Sequence, residues 1–274
     1  MRSALVAGCA ALLAATAVAG CGGSDAANPP TTTVRQLRQF RIVFPEGFTR
    51  AQMAERVQAV AKIAVHESRR KVKLTGKGYA AATSKPVLIQ GFGAERLPLE
   101  GFLFPDTYDF DRLSNPGQLV QNQLQEFLSK WSTLKLSYAK SKNLTPYDVL
   151  TIASMVEGEA QVPSERPLVA AVIYNRLHAH MPLGIDATLR YGLHIPPTQS
   201  LTQSELHNPT PYNTRMHDGL PPTPINNPGL AAIEAAARPA KVDYLYFVRK
   251  PDHKHHYFTS NYQDFLQHEA QYGY

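Results

Sequence analysis

Glu157 is the residue of this chain best placed to move a proton. It stands in IASMVEGEA (152–160), a run otherwise dominated by Ile, Met, Val and Ala. Leu150, Ala153 and Glu157 are spaced by three and four, which puts them on one face of a helix. That face reads as buried, and burial disfavours a charged carboxylate. A carboxyl still protonated near neutral pH is what a general acid requires. A structural Glu paired with a buried Arg would show the same spacing. Glu159 lies about 200° further around the helix, so the two carboxyls cannot stand side by side. Glu159 is expected to bind Arg166 or to cap a turn. Asp186, after MPLGI, is the candidate second carboxylate if the chemistry is hydrolytic; a loop Asp also serves as a turn cap.

Other chemistries find little support. His253, His255 and His256 fall where a hairpin turn is expected, so they alternate faces and make a poor metal set; no metal and no cofactor is expected. A single His256 directed at a ligand is the more economical reading. Ser154 has no GxSxG context, and no Walker or Rossmann glycine pattern occurs. The two cysteines, Cys9 and Cys21, both fall in the first 21 residues. Stabilising disulfides, thiolate zinc sites and cysteine nucleophiles are therefore excluded for the rest. The chain has 274 residues and a formal net charge of +6, with its basic groups scattered. Scattered charge suits anionic surfaces such as lipid headgroups or wall polymers, not nucleic acid, which calls for a clustered stripe.

The elements that must position these residues can be read from periodicity. A strand and turn are expected at 38–48, then a helix over 49–65 with Thr49 as N-cap and Met53, Val57, Val60, Ile63 and Ala64 inward. One amphipathic helix is expected over 116–142, closed by Asn143. Thr145, Pro146 and Asp148 carry the capping pattern of a helix over 145–160. A third helix is expected over 164–181, and an ordered, proline-rich irregular stretch over 182–228. A short Ala-rich helix (229–238), a hairpin formed by DYLYFVR (243–249) and HHYFTS, and a last helix (262–271) complete an α+β chain.

The first residues read as an address. MRSALVAGCAALLAATAVAG (1–20) has one charge, an apolar run and a small-residue close before Cys21. Val18-Ala19-Gly20-Cys21 resembles a bacterial lipobox, which implies cleavage and lipidation at Cys21. An uncleaved helical anchor is the alternative. Either places the body on the extracytoplasmic face of the cell membrane, because Arg2 stays inside. Residues 21–35 read as a flexible tether.

Six ordered blocks give the chain a resemblance. LEGFLFPDTY (99–108), IASMVEGEA (152–160), YNRLHAHMPLGIDATLRYGL (174–193), NPTPYNTRMHDGLPP (208–222), NNPGLAAIEAAARPA (226–240) and DYLYFV (243–248) with HYF (256–258) are similar to the YceG-like family, the endolytic murein transglycosylases. The resemblance implies a small LysM-like wall-binding module over 36–95 and a mixed helical and β catalytic domain over 96–274. It implies cleavage of MurNAc–GlcNAc bonds within peptidoglycan strands to give 1,6-anhydro-MurNAc ends, with Glu157 as acid and then base. Ending the growth of nascent strands and partnership with peptidoglycan synthases are implied with it. Glu100, Asn175, Asp186, Tyr212, Asn213, Thr214 and His256 are the residues expected to shape the groove or bind glycan. Phe102, Phe104 and Tyr108 could stack on sugars or fill core. Two readings compete: a hydrolase using Glu157, Asp186 and water, and a non-catalytic wall-binding lipoprotein. The chain departs from the family at Thr223, where glycine is usual, and in lacking a glutamine before Asp186.

Overall fold

The computed structural model describes residues 37–273. The leader, Cys21 and the tether lie outside the described residues. Strand β1 (Phe40–Val43) buries Ile42 and runs into a turn at Pro45–Gly47, where Gly47 takes a left-handed φ of 77°. Thr49 then caps α1 (Arg50–Ser68), with Gln52 closing the capping box as expected. The inward face of α1 is Met53, Val57, Ala61 and Ala64, not the set read from periodicity. Ile63 is exposed, because the small Ala61 lies against the core and the helix turns Ile63 outward.

Helix α2 (Gly76–Ala82), capped by Thr75, leads to β2 (Val87–Leu88) and β3 (Arg96–Leu97), which pair with each other. Strand β4 (Thr107–Phe110) returns antiparallel to β1, with Phe40 opposite Phe110 and Val43 opposite Thr107. One core therefore runs on both sides of residue 95: Ile42, Met53 and Tyr79 share a cluster with Phe102, Phe127 and Leu150.

The single helix expected over 116–142 is two: α3 (Pro116–Ser132) and α4 (Ser137–Ser141). The N–H groups of Thr133 and Leu134 bond to the carbonyls of Lys130 and Trp131, which tightens and ends the last turn of α3. The break lets Trp131, Leu134, Leu136 and Tyr138 all pack against the core, which one straight helix could not do. Helix α5 (Pro146–Glu159) carries the expected box of Thr145 with Asp148 and is buried from Val149 to Val156. The third helix is shorter than expected: a 3-10 turn (Pro163–Glu165) precedes α6 (Arg166–His178).

The stretch 182–228 is not irregular throughout. It holds α7 (Asp186–Leu193), which buries Thr188 and Leu189, and α8 (Gln203–Leu206), whose box is Thr202 with Glu205. Helix α9 (Leu230–Ala237) packs its alanines closely on α5 and α6. The hairpin of β5 (Tyr246–Arg249) and β6 (His256–Thr259) and the Asn261-capped α10 (Tyr262–Tyr272) follow. The α+β arrangement expected from the sequence is borne out. Among the described residues no helix is long and apolar enough to cross a membrane.

Candidate active site

Glu157 occupies the last turn of α5, where the helix leaves the core. Its side chain is 8% exposed. The Gly229 N–H, at the start of α9, donates to Oε2 at 3.1 Å. Arg166 Nη2, at the start of α6, stands 4.0 Å from Oε1, and Glu46 Oε2 stands 4.0 Å from the same nitrogen. Gly47 packs behind the side chain, 3.5 Å from Cγ measured from where a Cβ would be. Burial drives the Glu157 carboxyl above its ordinary range, and the Glu46 carboxylate adds to the rise. The Gly229 N–H and the Arg166 guanidinium oppose it without cancelling it.

Glu157 opens onto a cleft of about 1170 Å³, whose walls include Glu100, Asp186, Tyr191, Arg249 and His256. That exceeds the usual size of a pocket for one small ligand and suits a length of polymer. Glu100 is buried on the wall. Its oxygens accept from the Arg50 N–H at 2.9 Å, Asn227 Nδ2 at 2.9 Å and the Tyr191 hydroxyl at 3.0 Å. Burial outweighs these donors and raises its carboxyl. Asp186 begins α7 and is engaged by Arg215. His256 is buried, its Nδ1 2.8 Å from Glu165 Oε2, and its own N–H donates to Glu165 Oε1 at 3.0 Å.

Four expected site residues stand behind the wall. Asn175 Nδ2 donates to the carbonyls of Val242 and Tyr244, which fixes the approach to β5. The Tyr212 hydroxyl bonds to Thr223 Oγ1 at 2.9 Å, so the family departure at 223 has a partner. Asn213 Nδ2 donates to the Leu206 and Asn208 carbonyls. Thr214 Oγ1 accepts from the Ile185 N–H at 3.0 Å, one residue before Asp186. These polar atoms are spent on the protein: Tyr212, Asn213 and Thr214 bond within the loop that presents Asp186 and Arg215, and Asn175 holds the approach to β5. Phe102, Phe104 and Tyr108 are buried in the core and offer no stacking surface. Glu159 takes one of its two expected roles. It accepts from the Ala187 N–H at 3.3 Å, capping α7, while Arg249 approaches to 3.8 Å. Arg166 faces Glu157 instead.

Three residues at the site were not singled out for it from the sequence: Glu46, Arg166 and Asn227. Asn227 is the hub of the turn that supports Glu157. Its Oδ1 accepts from the N–H groups of Gly101 and Leu103, each at 2.9 Å. Its Nδ2 donates to the Phe48 carbonyl and to Glu100 Oε1, each at 2.9 Å. The sequence signals were the turn composition of Pro-Glu-Gly and of Asn-Asn-Pro-Gly, the latter opening the block at 226–240.

Comparison with known proteins shows what the chain resembles. The endolytic murein transglycosylase of Bacillus subtilis (strain 168) is 39% identical over 156 residues, covering 56% of this chain and 42% of that protein. The one from Streptococcus pneumoniae (strain R6) is 31% identical over 263 residues, covering 89% and 45%. The chain thus spans less than half the length of these curated relatives. The crystal structure of a YceG-like protein from Listeria monocytogenes superposes with a TM-score of 0.64 at 29% identity, over 83% of this chain and 75% of that one. The YceG-like family itself matches residues 25–271, a span that takes in Glu46, Glu157 and the whole cleft, so the chain belongs to the YceG-like family.

Proposed function

We propose that this protein cuts peptidoglycan glycan strands internally, as a lytic transglycosylase acting on MurNAc–GlcNAc bonds. The observation that carries the reading is the Glu157 carboxyl: its proton affinity raised by burial, at the edge of a polymer-sized cleft, with one oxygen held by the Gly229 N–H. The names of the relatives support the same substrate class. Neutral Glu157 protonates the leaving glycosidic oxygen, and the substrate's own N-acetyl oxygen assists at C1. The Glu157 carboxylate so formed is steadied by the Gly229 N–H and by Arg166. It then takes the proton from the sugar's O6 hydroxyl as O6 closes onto C1, giving a 1,6-anhydro end. One carboxyl acts as acid and then base, and no water is consumed. A hydrolase would need a second carboxylate to activate water. The Asp186 carboxylate is instead engaged by Arg215, which favours the lytic route.

The remaining parts of the reading are a lipid anchor at Cys21, placement on the extracytoplasmic face of the membrane, a LysM-like wall-binding role for residues 36–95, and work beside peptidoglycan synthases on nascent strands. Digestion of purified peptidoglycan by the chain from residue 22 tests the chemistry. Mass spectrometry should show product ends about 18 Da lighter than hydrolytic ends, the mass of the water a hydrolase adds. Hydrated ends would replace the lytic reading with the hydrolytic one.

A further inference from the structure

Glu46 has no part in the mechanism above, yet its half-exposed carboxylate stands beside the site. The turn that carries it is locked in place: the Gly47 N–H donates to the Asn227 carbonyl at 2.9 Å, and the Asn227 N–H donates to the Phe48 carbonyl at 3.0 Å. The Glu46 carboxylate lies over Gly229, where a Cβ would fall 1.9 Å from Oε1. Gly229 has φ −73°, a conformation open to any residue, so its lack of a side chain serves this approach rather than the backbone. The same Gly229 donates its N–H to Glu157. One Arg166 nitrogen is 4.0 Å from both carboxylates, within hydrogen-bonding distance of neither, and Arg166 Nε is buried without a partner. The two carboxylates therefore lie at most twice 4.0 Å apart across a shared guanidinium.

We propose that Glu46 is a positioning residue for the reaction: its carboxylate competes with Glu157 for Arg166, so that Glu157 remains a proton donor until the glycosidic bond breaks. Before that step Arg166, 4.0 Å from each carboxyl, has Glu46 as its anionic partner. Once Glu157 has given up its proton, Arg166 is shared between two anions, and the Glu157 carboxylate is left basic enough to recover a proton from O6. Glu46 itself exchanges no proton.

The other charged groups near this end of α5 have other partners. Asp186 and Arg190 of α7 bear on Glu159, as does Arg249 of β5. His256 of β6 is tied to Glu165. From α9 the facing group is the Gly229 N–H. Glu46 and Arg166 are thus the charges that set the proton affinity of Glu157.

The inference rests on Glu157 as the acid, so its test has one arm that needs no activity. Glu157 is titrated by NMR in the chain labelled with 13C-glutamate, its signal assigned by loss in Glu157→Gln. The alkaline limb of kcat/KM on peptidoglycan is measured alongside. Glu46→Gln should lower the Glu157 midpoint by about 0.5–1 pH unit and move the alkaline limb down with it. The low-pH plateau should stay within a few-fold of the wild type. Arg166→Gln should move both upward, and Arg166→Lys, which keeps the charge if the Gln variant does not fold, should move them little. Midpoints that stay in place in a folded Glu46→Gln protein would overturn the proposal, as would a lost plateau with no shift. A wild type that titrates as described but cuts no glycan would refute the proposed reaction and leave the charge coupling standing.

Discussion

Replacing Asn227 by Ala removes a side chain that ties the segments at Phe48 and at Glu100–Leu103 to the turn before α9. Asn227 is fully buried. Truncation strands the N–H groups of Gly101 and Leu103, which both donate to Oδ1 at 2.9 Å. Each buried donor left unpaired costs about 1–3 kcal/mol. The loss at Phe48 is milder, because its carbonyl keeps the Asn227 backbone N–H. Glu100 loses one of three donors but retains the Arg50 N–H and the Tyr191 hydroxyl. The total is about 3–5 kcal/mol, a large part of the roughly 5–15 kcal/mol that holds a domain folded. Trp131, the single tryptophan, packs between Phe92 and Phe127 and reports core unfolding by fluorescence. The urea midpoint of Asn227→Ala should fall by about 1–2 M. Asn227→Asp should be worse than Ala near neutral pH, where it sets a second carboxylate against Glu100, and milder in acid. A loss below about 1 kcal/mol for the Ala variant would refute the reasoning, since water or backbone shifts would then be satisfying both stranded N–H groups.

Glu157→Gln should lower turnover by about 10²–10⁴-fold without lowering Tm, because a neutral amide replaces a carboxyl that is costly to ionise; an active variant would remove Glu157 from the mechanism. Burial raises the Glu100 carboxyl above its unfolded value. The wild type therefore loses stability as pH rises from that unfolded value through the raised one, and Glu100→Gln should remove this loss. The variant's Tm relative to the wild type should climb between pH 5 and pH 8; a constant difference would refute it. Gly101→Ala should cost about 2–4 kcal/mol in urea unfolding. Gly101 has φ 91°, and the added methyl would sit 2.7 Å from Pro224 Cβ and Cγ; a near-neutral result would contradict the close approach. Gly229→Ala should displace the Glu46 side chain and move the alkaline limb of activity to lower pH; an unmoved limb would weigh against Glu46.

The parts of this architecture legible in the sequence are those fixed by local chemistry. The capping box of Thr145 with Asp148 marks the start of α5, and apolar neighbours mark Glu157 as a carboxyl on a buried helix. The lengths of α3 and α4 were not legible, because Leu134 continues the helical spacing of Phe127 and Trp131 although the chain bends after Ser132 to bring Leu136 and Tyr138 onto the core as well. Helix α7 was hidden by the prolines around it, although Asp186 at its first position is a good helix start. The roles of Glu46, Arg166 and Asn227 lay further out of reach. Each is set by contacts between segments far apart in the chain, and a Pro-Glu-Gly turn looks the same whether its carboxylate faces solvent or a buried carboxyl. Tyr212, Asn213 and Thr214 invited assignment to the ligand because they are polar and fall in a block that resembles the family, yet they bond inward.

The most direct test of the central claim is digestion of peptidoglycan in water enriched in ¹⁸O, with wild type and Glu157→Gln in parallel, read by mass spectrometry of the new ends. The account predicts anhydro ends carrying no ¹⁸O from the wild type and no new ends from the variant. New ends about 2 Da heavier in labelled water would contradict it, since only a hydrolytic route takes oxygen from solvent.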